Sequence, residues 1–136
     1  MNSRLLLAYQ LFTGISDSCT GLLLIFAPAL TLRWMGVHGT AETYPFVSFI
    51  GAFVLSVGLA CFYGAKLAVR TGGANELKVV SLLTAITRAL VAVVVSAQII
   101  SGNMECRWCT VAIFDGVTAL FQVIGLRRGW LVHATH

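Results

Sequence analysis

Charge is what this sequence has least of. Only 10% of its 136 residues are Asp, Glu, Lys or Arg, where a soluble domain carries roughly a quarter, and 58% are hydrophobic. Nine basic and five acidic side chains do not cover so apolar a chain in water, whereas a bilayer removes the need to cover it. An ordinary soluble domain is thereby excluded, and the class is an integral membrane protein with the lipid bilayer as its first partner. Histidine is nearly as scarce. His38, His133 and His136 all fall in loops or the tail, which argues against a bis-histidine haem anchor, and no metal site is expected. The net charge of +4 comes from basic residues scattered singly at the ends of apolar runs rather than in a stripe, so nucleic acid is not an expected partner.

What is present is a set of membrane-length apolar segments, expected as helices over about 5–31, 44–66, 77–101 and 108–128. The first is expected to stop near Pro28, Arg33 and Trp34. Arg4, the apolar run and Ala27, Pro28 and Ala29 have the flavour of an export signal, but Asp17 inside the run speaks against cleavage. Gln10, Thr13, Gly14, Asp17, Thr20 and Gly21 form one polar stripe on this helix. In the second segment Pro45 suits a first helical turn, and Ser48, Gly51, Leu55 and Gly58 make a small-residue seam that lets helices approach closely. Thr71, Gly72, Gly73 and Asn75 mark a break between two helical pairs. Ser81, Thr84, Arg88 and Ala92 then share a face of the third segment, and Asp115, Thr118, Gln122 and Gly125 share one on the fourth.

The expected fold is all-α: an integral membrane antiparallel four-helix bundle, one transmembrane domain over residues 1–136. Arg4, Lys66, Arg70, Lys78, Arg127 and Arg128 fall on one side, with Arg33 and Arg107 on the other, so both termini are expected in the cytoplasm. Trp34, Tyr44 and Trp108 would then form the outer aromatic belt, with Tyr63 and Trp130 the inner one. In a bacterium this is a multi-pass protein of the inner membrane.

Asp17, Arg88 and Asp115 are the charged residues well inside the apolar segments. Each costs on the order of 2.5 to 3.5 kcal/mol there, so each should face the interior and find a partner. Counted from the cytoplasmic helix ends, all three lie roughly 16 to 18 Å deep, near the midplane of a core about 30 Å thick. Level charges on three polar faces predict a buried cluster, with Thr20, Thr118 and Gln122 as hydrogen-bonding neighbours. Arg88 can hold one carboxylate bidentately or bridge both. The cluster reads either as a structural ion pair that fixes which helices meet, as a ligand or ion site, or as a proton relay.

Cys19 and Cys61 sit in apolar runs and read as small hydrophobes, but Cys106 and Cys109 form a CxxC pair before the fourth helix, where a helix N-terminus lowers the pKa of the first thiol. This arrangement resembles the vitamin K epoxide reductase and DsbB type of membrane thiol oxidase, which implies a periplasm-facing dithiol passing electrons to a quinone. Those enzymes also use a second cysteine pair in an outer loop, and residues 32–43 contain none. A structural disulfide, a catalytic dithiol and unpaired or metal-bound thiols all stay open. In the first half of the chain GLLLIFAPAL, WMGV and FIGAFVLSVGLA resemble small DoxX-like bacterial membrane proteins, which implies a four-helix bundle. One branch of that family is associated with thiosulfate and quinone redox chemistry, and none of its functional residues is carried over.

The leading expectation is a small membrane protein, a homo-oligomer or a partner in a membrane complex, that binds or conducts a small polar solute, ion or proton through Asp17, Arg88 and Asp115. A quinone-linked thiol oxidoreductase using Cys106 and Cys109 is the enzyme alternative, with quinone as its cofactor. A non-catalytic subunit or assembly factor of a membrane complex is the third.

Overall fold

The computed structural model describes residues 3–129. Trp130, His133 and His136 lie outside that range. The fold is all-helical, with α1 (Ser3–Phe26), α2 (Pro28–Met35), α3 (Tyr44–Val69), α4 (Ala74–Ile100), a 3-10 turn (Cys106–Trp108) and α5 (Cys109–Arg127).

The first helix stops at Phe26, just before Pro28, as its sequence position suggested, and Pro28 then opens a second one, because a proline in a first turn lacks only a donor that has no helical partner anyway. The chain therefore bends at Ala27 and stays helical to Met35. Gly36, at φ 71°, closes α2 in the left-handed conformation, its N–H donating to the Arg33 carbonyl at 3.0 Å while Val37 N–H donates to that of Leu32 at 2.8 Å. Pro45 occupies the first turn of α3 as expected, and α4 starts after Gly72 and Gly73, a little earlier than its hydrophobic pattern indicated.

Three helices are long and apolar enough to cross a membrane: α3, α4, and the turn with α5. Among the described residues α1 is not one of them, although its length suffices. Gln10, Thr13, Ser16, Asp17, Ser18 and Thr20 dilute its apolar character. The protein's outer surface is rich in large apolar side chains, with Phe12, Phe46, Phe49 and Ile113 all well exposed. In water such a surface would aggregate, so these features fit a small membrane protein.

Helix α1 packs most closely on α3 and α4 on α5. Positions rise along α1 as they fall along α3: Gln10 meets Gly64, Gly14 meets Gly58, and Gly21 meets Gly51. A methyl group on Gly21 would lie 2.6 Å from the Leu55 nitrogen, and one on Gly51 2.7 Å from Leu24 Cβ. These glycines set the distance of closest approach, as the small-residue seam predicted. Ser48 adds a hydrogen bond from Oγ to the Ile25 carbonyl at 3.2 Å. The two helix pairs meet at the short 70–73 turn, where Leu6, Leu67, Ala68 and Leu77 form one apolar core. At the opposite end Leu24, Leu32, Val37 and Val47 form a second, flanked by Met35 and Trp108. There His38 donates its backbone N–H to Glu105 Oε1 at 3.1 Å, joining the loop after α2 to the turn before α5. That hydrogen bond is the main reason the Glu105 carboxyl is held below the usual carboxylate range.

Candidate functional site

Between the two cores the facing polar stripes meet. Arg88 on α4 bridges both carboxylates: Nη2 donates to Asp17 Oδ2 on α1, and Nη1 donates to Asp115 Oδ1 on α5 at 2.7 Å. The guanidinium also lies over the Phe114 ring, 5.6 Å from its centroid. Arg88 is only 2% exposed, so the bridge stands in a medium where an unpaired charge would be costly. Of the two geometries open to Arg88, bridging is the one it takes. The reason is positional: the two carboxylates approach from different helices and no single helix pair supplies both.

Thr20, Thr118 and Gln122 do not bond to the charged side chains of this cluster. Thr118 turns its hydroxyl back to its own helix, donating to the Phe114 carbonyl at 2.7 Å and to the Asp115 backbone carbonyl at 3.1 Å. Gln122 Nε2 donates to Thr84 Oγ1 at 2.9 Å, one layer closer to the 70–73 turn. A hydroxyl on a helix has a backbone carbonyl within reach three or four residues back, and that bond is made without ordering a second helix. Thr20 is exposed. The layer around Gln122 also contains Gln10 and Thr13, both 1% exposed, and Tyr9, whose hydroxyl lies 3.5 Å from the Thr118 carbonyl. Polar periodicity had marked Gln10, Thr13 and Thr84 as stripe members without separating this layer from the charged one.

On the side of the cluster away from the 70–73 turn lies a cavity of about 340 Å³. It fills the cleft between the α1/α3 and α4/α5 pairs and is lined by residues of all five helices and by Trp108. Its walls are mostly apolar, Leu24, Val54, Val57, Val91 and Phe114 among them, and Asp17, Arg88 and Asp115 stand at its charged end. Thr20 and Phe53 lie at exposed positions on its wall. Each carboxylate commits one oxygen to Arg88, while Asp17 Oδ1 and Asp115 Oδ2 accept no hydrogen bond from the described residues. Nothing in the sequence pattern announced this void, because it arises from the spacing of two helix pairs rather than from either alone.

Cys106 and Cys109 are free thiols with Sγ atoms 3.5 Å apart at the start of α5. Neither lines the cavity, but Trp108 between them does. Among the described residues no three His, Cys, Asp or Glu side chains converge in a way that could hold a metal ion. No family model, curated protein or solved structure matches this chain.

Proposed function

We propose that this chain is a multi-pass protein of a bacterial inner membrane, an antiparallel four-helix bundle with cytoplasmic ends. It binds, or passes across the bilayer, a small solute, ion or proton at Asp17, Arg88 and Asp115. The observation that carries the reading is the cavity that runs through a mostly apolar cleft and ends on that charged cluster. A purely structural ion pair needs no access from outside. A pocket with apolar walls and a few convergent polar groups is the usual form of a small-ligand site.

Helix α1 counts as the fourth span in this reading. Composition averages both faces of a helix, but only the outward face meets lipid. On α1 that face is Leu11, Phe12, Ile15 and Leu22, while Gln10, Thr13 and Asp17 are buried. The distribution of Lys and Arg supports cytoplasmic ends, and the DoxX-like resemblance of the first half belongs to the same proposal, as does assembly into a homo-oligomer or a larger membrane complex. The test is flux into proteoliposomes with Asp17→Asn and Asp115→Asn prepared singly. Transport lost in at least one supports the proposal, and transport unchanged in both removes it.

One observation favours a second reading, a quinone-linked thiol oxidase. The Cys106 and Cys109 sulfurs are close enough to join with little movement, and Trp108 carries that turn to the edge of the cavity. In that chemistry the two thiols lose two protons and two electrons to form a disulfide, and the quinone gains both to become a hydroquinone. Thiol trapping in cells distinguishes the readings: a mixture of reduced and oxidised forms is expected of a redox pair, and a single locked form argues against it.

A further inference from the structure

The cluster's charge does not balance. One guanidinium faces two carboxylates, so its formal sum is minus one, in a setting that disfavours an uncompensated charge. A proton on one carboxyl or a bound cation balances it, and the geometry restricts what such a cation can be. Arg88 has both terminal nitrogens engaged by carboxylates and its Nε sealed from solvent, so it presents no free fork to an anion. The open hydrogen-bonding positions beside it are carboxylate oxygens, Oδ1 of Asp17, a residue only 6% exposed, and Oδ2 of Asp115. Both residues line the cavity.

The walls narrow the choice further. A divalent metal ion needs a cage of roughly six or more oxygen donors; the hydroxyls of Ser16, Thr20, Thr87 and Thr110 also line the cavity, but no group of three or more His, Cys, Asp or Glu side chains is found among the described residues. The cavity instead offers aliphatic surface with the rings of Phe53, Phe114 and Trp108. Aromatic faces attract weakly hydrated ammonium groups, and apolar walls accept the remainder of an organic molecule. The volume of about 340 Å³ is well above the roughly 150 Å³ of a dry engineered cavity that takes up benzene. That leaves room for a ring and a small charged head.

We propose that the cleft selects an apolar organic monocation, its charge set against Asp17 and Asp115 and its body against the apolar walls. This rests on the cleft being a binding site, as argued above, and adds the sign of its ligand. Phenyltrimethylammonium, tert-butylbenzene and benzenesulfonate are close in size and shape and carry charges of plus one, zero and minus one. Calorimetric binding of each to the full chain in lipid nanodiscs, with empty nanodiscs as the partition reference, reads the preference directly. The cation is expected to bind at least about tenfold tighter than the neutral molecule, and the anion most weakly.

Asp17→Asn or Asp115→Asn should reduce that ratio toward one. Circular dichroism checks that each variant remains helical, and the comparison on the unaltered chain decides the matter even if a variant does not fold. Val57→Trp should abolish binding of all three by filling the cavity, and undiminished cation binding in that variant would overturn the location. Equal binding of all three compounds to the unaltered chain would overturn the cation preference and leave the binding site standing. Binding of none would overturn the preference and count against the proposed function as well.

Discussion

The two ends of this molecule differ although both are built from the same four long helices. On one side of the Asp17, Arg88 and Asp115 layer the interior is filled, with Leu67 and Leu77 at most 1% exposed and Gln10 and Thr13 equally enclosed. On the other side it is hollow. The turn at 70–73 ties α3 to α4 and so forces the two helix pairs together at that end, where side chains interlock. At the other end the pairs are joined by the exposed His38–Glu105 hydrogen bond, and at the level of the cavity Arg88 reaches across to hold them. Covalent proximity fills one half, and an ion bridge spans the other.

Removing that bridge should have the largest effect. Arg88→Met leaves the buried Asp17 and half-buried Asp115 carboxylates without a partner and should destabilise the fold by about 3–5 kcal/mol, read as a fall in the thermal unfolding midpoint in detergent. The additional replacements Asp17→Asn and Asp115→Asn should restore much of the loss, since they remove the stranded charges. If Arg88→Met alone is neutral, the bridge does not hold the halves together.

The filled and hollow halves should next respond unequally to the same kind of truncation. Leu77→Ala, in the filled half, should cost about 2–5 kcal/mol. Val57→Ala, on the cavity wall, should cost less than about 1 kcal/mol, because an atom facing a void has fewer contacts to lose. Equal losses in unfolding measurements would mean that the cavity closes in the membrane. Within the α1/α3 pair, which runs through both halves, Gly21→Ala should cost about 1–3 kcal/mol because its methyl group meets Leu55 and Gly51 backbone. A variant as stable as the parent would show that the seam can part without penalty.

The smallest effect belongs to the exposed tie at the hollow end. Glu105 has its folded-state pKa lowered by the His38 N–H, so its contribution is present above the ordinary carboxylate range and is lost as pH falls through the lowered folded value. Glu105→Gln should flatten the pH dependence of unfolding on the acid side. An unchanged acid limb would assign that dependence to other carboxylates.

Much of the charged site could be read before any coordinates. Counting depth along three segments brought Asp17, Arg88 and Asp115 together, because a helix converts residue number into height at a fixed rate. The glycine seam was legible for a similar reason: Gly51 and Gly58 recur on one face, and close approach needs small residues. The neighbours were not legible. Thr118 and Gln122 share a face with Asp115, but a face says only where a side chain starts, and Thr118 found a carbonyl on its own helix first. Pro28 marked the end of α1 but not the start of α2, for a local reason: a proline is compatible with both the end of one helix and the start of another.

An all-helical chain with an apolar exterior and one buried charged layer is already written in the residues. Those properties follow from composition and periodicity, which act residue by residue along each helix. Only the tertiary structure decided that Arg88 is shared between two carboxylates, that Gln122 pairs with Thr84 in a separate layer, and that a cavity lies on one side of the charges. Those depend on distances between helices. Such distances are set by loop length, glycine contacts and packing across the whole molecule, and no single segment encodes them.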